Sequence, residues 1–198
     1  MEQLSTRVVY SNPWMTVRED EIRRPDGSDG IYGVVEKPDF ALVLPRWEKG
    51  FWLVEQFRYP VGRRAWEFPQ GSWGAGAAGE QTELARRELA EETGLRAADL
   101  THLGHLYEAY GYSTQGFDVY LATGLAEGEP DREPTEQDMI HRAFTDAEIT
   151  AMIRSGAMVD APSLAALTLY HLASPSIRSA PGTALPEPDA GHRDSTPS

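Results

Sequence analysis

Residues 66–95 constrain this chain more than any other stretch, because they run a strand into a glycine-rich loop and then into a helix with an acidic face. Trp66-Glu67-Phe68-Pro69-Gln70-Gly71 reads as a strand ending in a glycine turn, and residues 72–79, Ser-Trp-Gly-Ala-Gly-Ala-Ala-Gly, read as a flexible loop. In the helix that follows, Glu88, Glu91 and Glu92 stand at i, i+3 and i+4 and project together. Leu84, Leu89 and Leu95 give it an apolar side, and Gly94 stops it. Three carboxylates this close repel one another unless a cation sits among them. Hard oxygen ligands suit Mg²⁺ or Mn²⁺ rather than zinc. The competing reading is a solvated acidic face. The strand and glycine loop beside it argue instead for a compact diphosphate and metal platform.

Charge points the same way. The net charge of −13 argues against nucleic acid as a partner, because such binding draws on a basic surface. An anionic substrate would be repelled too, unless divalent cations and a few arginines reverse the local field. Length and a hydrophobic content of 40% suit one enzyme domain with a real core. No segment approaches the roughly 18 apolar residues of a membrane span. The N-terminus lacks the pattern of a signal peptide. The absence of cysteine fits a cytoplasmic protein.

Residues 8–35 read as strands around the turns Asn12-Pro13 and Pro25-Asp26-Gly27. Ala41-Leu42-Val43-Leu44-Pro45 and Phe51-Trp52-Leu53-Val54-Glu55-Gln56-Phe57 form a hairpin around Glu48-Lys49-Gly50. Strands are expected at 101–108, 116–122 and near 139–144, a polar loop at 126–138, and helices at 145–154 and 163–173. From Ser174 onward no apolar period survives, so 174–198 is expected to be a disordered tail.

The helix resembles the second half of the Nudix hydrolase motif, G-x5-E-x7-R-E-U-x-E-E-x-G-U with U aliphatic, at Arg87, Glu88, Leu89, Glu91, Glu92, Gly94 and Leu95. The first half departs from it. Counted from Gly71, eight residues precede Glu80 instead of five, and six instead of seven separate Glu80 from Arg87. Gly71 is taken as the structural glycine and 72–79 as a lengthened loop, which leaves the role of Glu80 open. The resemblance implies a Nudix fold of the α/β (α+β) class, with mixed β-sheets sandwiched between helices and an N-terminal β-strand extension. Residues 1–36 would form that extension, 37–173 the Nudix domain and 174–198 the tail.

Val54-Glu55-Gln56-Phe57-Arg58-Tyr59-Pro60-Val61-Gly62 and Val159-Asp160-Ala161-Pro162-Ser163-Leu164 are similar to the ADP-ribose pyrophosphatase branch. That branch uses an N-terminal strand region to build a homodimer, and a dimer is implied here. The resemblance implies hydrolysis of a nucleoside diphosphate linked to a group X, such as ADP-ribose or another nucleotide sugar. Glu88, Glu91 and Glu92 would hold metal, with the Gln70 carbonyl as a further ligand. A bound cation lowers the pKa of its water from about 15.7. By resemblance the base that takes the proton is Glu136, then Glu133, or else a helix glutamate such as Glu92. Arg87 would pair with a helix glutamate and orient it.

Arg58 suits phosphate through its planar fork, and Glu67 and Tyr112 complete the substrate-binding set. Trp14, Tyr32, Phe40 and Tyr112 could stack on a purine or belong to the core. Arg63 and Arg64 read as surface residues, and none of the five histidines as a ligand. Tyr110 stands where ADP-ribose enzymes carry a proline, and Gln115 where they often carry Glu. Two alternatives therefore stand beside nucleotide-sugar hydrolysis. One is hydrolysis of dinucleoside polyphosphates, favoured by Tyr110, or of oxidised nucleoside triphosphates. The other is a non-catalytic nucleotide-sugar sensor, which the altered loop allows and the complete acidic face opposes.

Overall fold

The computed structural model describes residues 1–74, 77–130 and 138–178. Strands β1 (Glu2–Ser11), β2 (Thr16–Arg23) and β3 (Asp29–Glu36) form an antiparallel N-terminal sheet in that order. Its turns use the residues expected of them. Asn12 Oδ1 accepts from the backbone N–H of Trp14 and of Met15, both at 2.9 Å, and Asp26 accepts from Ser28 N–H at 3.0 Å. Every residue of β1 is exposed. The end of β3 is tied to the 108–115 loop: Val35 N–H donates to the Tyr112 carbonyl at 2.8 Å, and Tyr32 Oη to the Gly111 carbonyl at 2.6 Å.

The main sheet contains β4 (Phe40–Trp47), β5 (Gly50–Arg58), β6 (Arg63–Glu67), β7 (Gln70–Ser72), β8 (Arg96–Tyr107), β9 (Gly116–Ala126) and β10 (Ile140–Thr145). Its order is β10-β5-β4-β9-β8, with β6 on β5 and β7 on β4. Strand β4 runs parallel to β9 and the other pairings are antiparallel, so the sheet is mixed. The helices are α1 (Gln81–Thr93), α2 (Asp146–Ser155), α3 (Ala161–Leu172) and the short α4 (Pro175–Arg178). Among the described residues no helix is long and apolar enough to cross a membrane.

Strand β4 is buried on both faces, which explains its unbroken apolar run. Phe40, Leu42 and Leu44 pack in one core cluster with Leu167 and Tyr170 of α3. Ala41 and Val43 pack in the other with Leu84 and Leu89 of α1. Each fully buried leucine contributes about 2 kcal/mol, so this sandwich fixes α1 and α3 on opposite sides of one strand. The β4–β5 hairpin is paired only at Arg46↔Phe51 and Trp47↔Gly50. Beyond those pairs β7 takes the open edge of β4 and β6 that of β5. The parted hairpin creates the main cleft.

Several local expectations change, among them the start of the first strand, at Glu2 rather than residue 8, and the end of β9, at Ala126 rather than 122. Gly71 lies within β7, opposite Ala41, and not in a turn. Strand β8 starts at Arg96 rather than Thr101, because it pairs with β9 along its length while Arg96 and Asp99 among small alanines hide the pattern. Helix α3 begins at Ala161, two residues early, because Asp160 caps it and Pro162 fits its first turn. Residues 175–178, assigned to the tail, form α4, whose Ile177 packs on the core; 179–198 lie outside the described residues.

Candidate active site

Helix α1 starts at Glu80, an exposed N-cap whose side chain makes no capping hydrogen bond. It ends at Gly94, with φ 75°, whose N–H returns to the Ala90 carbonyl at 2.9 Å. The same helix that buries Leu84 and Leu89 in the core also buries Glu88 and Glu92, at 7% and 1% exposure. Burying carboxylates is costly unless a positive charge or hydrogen-bond donors compensate. The Glu88 carboxylate lies directly over β7: a Cβ at Gly71 would collide with it. Glu91 is turned aside, accepting from Arg87 Nε at 2.7 Å in an i, i+4 ion pair. The Arg87 guanidinium also lies 5.9 Å from the Trp73 ring centroid, which sets Trp73 against the helix.

The cleft between the parted strands holds about 630 Å³ and is lined by Arg58, Glu67, Gln70, Tyr112, Gln115 and Asp160, among others. Arg58 and Glu67 form a two-pronged ion pair, with Arg58 Nε to Glu67 Oε2 at 3.1 Å and Arg58 Nη2 to Glu67 Oε1. Gln56 Nε2 adds a third donor to Glu67 at 2.9 Å. The Glu67 side chain is 2% exposed and that of Arg58 42%, so one edge of the guanidinium is anchored while the rest faces the cleft. Burial opposes the charge on Arg58, but Glu67, Asp160 and Glu92 outweigh it and raise the arginine's pKa. Burial pushes the Glu67 carboxyl above the usual range, with Arg58 opposing and Asp160 adding to the rise.

The structure therefore brings Arg58, Glu67, Gln70 and Tyr112 into one cleft, with Glu88 against its β7 wall. It does not gather the three helix glutamates. Among the described residues no group of three acidic or histidine side chains is arranged to hold a metal unaided, and the Arg87 pairing of Glu91 is one reason. The donor chemistry still fits a hard divalent cation. Glu88 and Glu92 are buried one turn apart, and Gln70 Oε1 is a buried acceptor with no hydrogen-bond partner among the described residues. Glu136 and Glu133 lie outside the described residues.

The remaining candidates separate by their contacts. Arg64 is committed to Glu55 at 2.9 Å and Asp138 at 2.6 Å, and Arg63 to the Gly156 carbonyl at 2.7 Å. Phe40 stacks on Phe117 with centroids 4.8 Å apart and belongs to the core at the cleft wall. Trp14 lines a second cavity of about 330 Å³ with Trp73, and this cavity shares Lys37 and Ser72 with the main cleft. His102 and His105 both approach Asp118, at 2.7 and 3.3 Å. Sequence reasoning missed Asp160. Its signal was an Asp-Ala-Pro-Ser helix start, which announces a cap but not where the cap lands.

Comparison with known proteins agrees with this geometry. Residues 36–167 match the NUDIX domain, and residues 1–35 match the nucleoside diphosphate sugar hydrolase N-terminal domain. An ADP-ribose pyrophosphatase of Mycobacterium tuberculosis is 34% identical over 173 residues, covering 86% of this chain and 83% of its own length. One from Bacillus subtilis is 28% identical over 166 residues, covering 83% and 89%. A methanol dehydrogenase activator of Bacillus methanolicus is 27% identical, covering 64% and 68%. A crystal structure of an ADP compounds hydrolase superposes with a TM-score of 0.74 at 20% identity, over 87% of this chain and 94% of its own, which shows the shared fold. With the domain match spanning most of its length and the acidic helix set beside an arginine-bearing cleft, the chain belongs to the Nudix hydrolase family.

Proposed function

We propose that this chain hydrolyses the pyrophosphate bond of a nucleoside diphosphate linked to a sugar, with ADP-ribose the favoured substrate and Mg²⁺ or Mn²⁺ the cofactor. One observation carries the reading: Arg58, half exposed in the cleft, is anchored by the buried Glu67, while the cleft wall at Gly71 lies under the Glu88 carboxylate. That cleft pairs a phosphate-binding fork with oxygen donors suited to a cation. The relatives named ADP-ribose pyrophosphatase support the choice of substrate.

Water attacks phosphorus in the bridge, one P–O bond breaks, and a nucleoside monophosphate and a sugar phosphate leave. Glu88 and Glu92, with Glu91 and the Gln70 carbonyl, would hold a divalent cation, which when bound would polarise the bridge and acidify the water. Arg58 binds phosphate oxygens while Glu67 and Gln56 keep its fork in place. Arg87 holds Glu91 in orientation. Tyr112, 60% exposed on the cleft wall, offers a face to the base or sugar. Glu136 is assigned as the base that takes the proton from water. Tyr110, which favoured the dinucleoside alternative, is 85% exposed.

The proposal includes a cytoplasmic homodimer joined through the N-terminal sheet. Strand β1 is an edge whose Val8, Val9 and Tyr10 are 62%, 49% and 53% exposed, and such edges invite pairing. Light scattering that finds a fully active monomer at micromolar concentration would remove the dimer. The activity is tested by incubating the full chain and Mg²⁺ with a panel of nucleotides. Release of AMP and ribose 5-phosphate from ADP-ribose with the highest kcat/KM supports the reading. Preference for dinucleoside polyphosphates or oxidised triphosphates would replace the substrate, and binding without turnover would make the chain a sensor.

A further inference from the structure

The N-terminus of α3 is tied to the strand that carries the site. Asp160 Oδ2 accepts three hydrogen bonds: from Ser163 N–H at 2.9 Å, from Ser163 Oγ at 2.7 Å and from Gln70 Nε2 at 3.2 Å. Ser163, fully buried, accepts in turn from Phe68 N–H at 3.0 Å. One carboxylate oxygen thus caps a helix and, through two routes, holds both ends of the segment 68–70 that enters β7.

The contact to Gln70 has a chemical consequence. A carboxylate can only accept, so the end of the Gln70 amide that meets Asp160 must be its NH₂ group. The Gln70 side chain is also near enough to Glu67 to help hold that carboxyl's pKa down, which favours the same NH₂ end toward it. The amide is therefore oriented by its hydrogen bond to Asp160. Its other end, Oε1, is left as a buried acceptor with no hydrogen-bond partner among the described residues. Gln70 lines the cleft, and the next residue, Gly71, lies under the Glu88 carboxylate.

We propose that Asp160 is a positioning residue of the active site: it orients the Gln70 amide so that Oε1 is presented as a neutral oxygen donor to the cation. The inference rests on the metal reading above and adds to it a side-chain ligand and the residue that aims it. A neutral oxygen suits this place better than another carboxylate. Glu67, Asp160, Glu88 and Glu92 already crowd anionic oxygens around the cleft, and a hard cation accepts amide oxygens as readily as it does water.

The test is Mn²⁺ binding to the full chain without nucleotide, followed by electron paramagnetic resonance, for wild type, Asp160→Ser, Gln70→Ala and the double variant. Serine is a good N-cap, so Asp160→Ser keeps the acceptor for Ser163 N–H, but it is too short to reach Gln70. We expect a melting temperature close to wild type, with Mn²⁺ dissociation constants raised about tenfold in each single variant and no further in the double. That non-additivity marks two residues acting as one unit. Wild-type Mn²⁺ affinity in Asp160→Ser, or losses that multiply in the double variant, would overturn the inference while leaving the metal site standing. A wild-type chain that binds no Mn²⁺ would overturn both.

Discussion

Gly71 and Glu88 occupy complementary space: the carboxylate fills the volume that any side chain at position 71 would need. The glycine thus serves the close approach of Glu88 and not its own backbone angle, since its φ is not positive. Gly71→Ala is expected to displace Glu88 from β7, lowering kcat at least tenfold and weakening Mn²⁺ binding. Circular dichroism should remain that of the wild type, because β7 is a short strand at the cleft wall and the leucine core is untouched. Undiminished turnover in Gly71→Ala would show that Glu88 has no role at that spot.

Arg58 and Glu67 give a prediction whose sign depends on pH. Arg58→Ala removes the main influence opposing burial of Glu67, so the carboxyl's folded pKa rises further above its unfolded value of 4.5. A raised carboxyl pKa means that the folded state holds its proton more tightly. Stability is then greatest below the unfolded pKa and falls as pH rises toward the folded one. The deficit of Arg58→Ala should accordingly be small at pH 4 and larger at pH 8. About 2 kcal/mol is expected there, less than the roughly 3–5 kcal/mol of a fully buried pair because Arg58 is partly exposed. Urea titrations at the two pH values measure it. Arg58→Lys keeps the charge and loses the fork, and should raise KM about tenfold.

The capping box of α2 tests the opposite sign. Thr145 N–H and Oγ1 both donate to Glu148 Oε2, at 2.7 and 2.8 Å, and Glu148 N–H returns to Thr145 Oγ1 at 3.2 Å. The backbone hydrogen bond from Thr145, above all, holds the Glu148 carboxyl below its ordinary value of 4.5. Its stabilisation is present above that unfolded pKa and is lost as pH falls through the lowered folded value. Glu148→Gln keeps the box and loses the charge, a difference of about 0.3–1 kcal/mol at neutral pH. The melting temperature of wild type should therefore exceed that of Glu148→Gln by a degree or two at pH 7, and the two should converge as the solution is made strongly acid. A gap that persists at low pH would assign the effect to packing.

The parts of this molecule legible in its sequence are those set by local periodicity and turn chemistry. The acidic face of α1, the hairpin turn at Glu48-Lys49-Gly50 and the cap at Gly94 declare themselves within a few residues. The naming of Arg58, Gln70 and Tyr112 as candidates followed from their own chemistry or from resemblance, and all three line one cleft. The place of Asp160 did not, because it depends on α3 returning across β4 to residues some 90 positions earlier. The pairing of Glu91 with Arg87 was equally hidden. Helical spacing sets which way the glutamates project, whereas the ion pair that draws off Glu91 and the strand that crowds Glu88 are rotamer choices made by neighbours.

Metal binding and proton abstraction can be separated with two glutamates. Glu92 is 1% exposed on the inner face of α1, within the field of Arg58. Glu92→Gln removes a charged oxygen from the proposed metal site, so kcat should fall by about two to four orders of magnitude, with Mn²⁺ affinity falling in parallel. The metal-free protein should be at least as stable as wild type, because a buried charge and its repulsion from Glu88 are both relieved. Glu136→Gln should instead lower kcat and leave Mn²⁺ affinity unchanged, because a base acts on the water and is no ligand. Wild-type turnover in Glu92→Gln would overturn the metal assignment. Wild-type turnover in Glu136→Gln would move the base to another carboxylate, with α1 the first place to look.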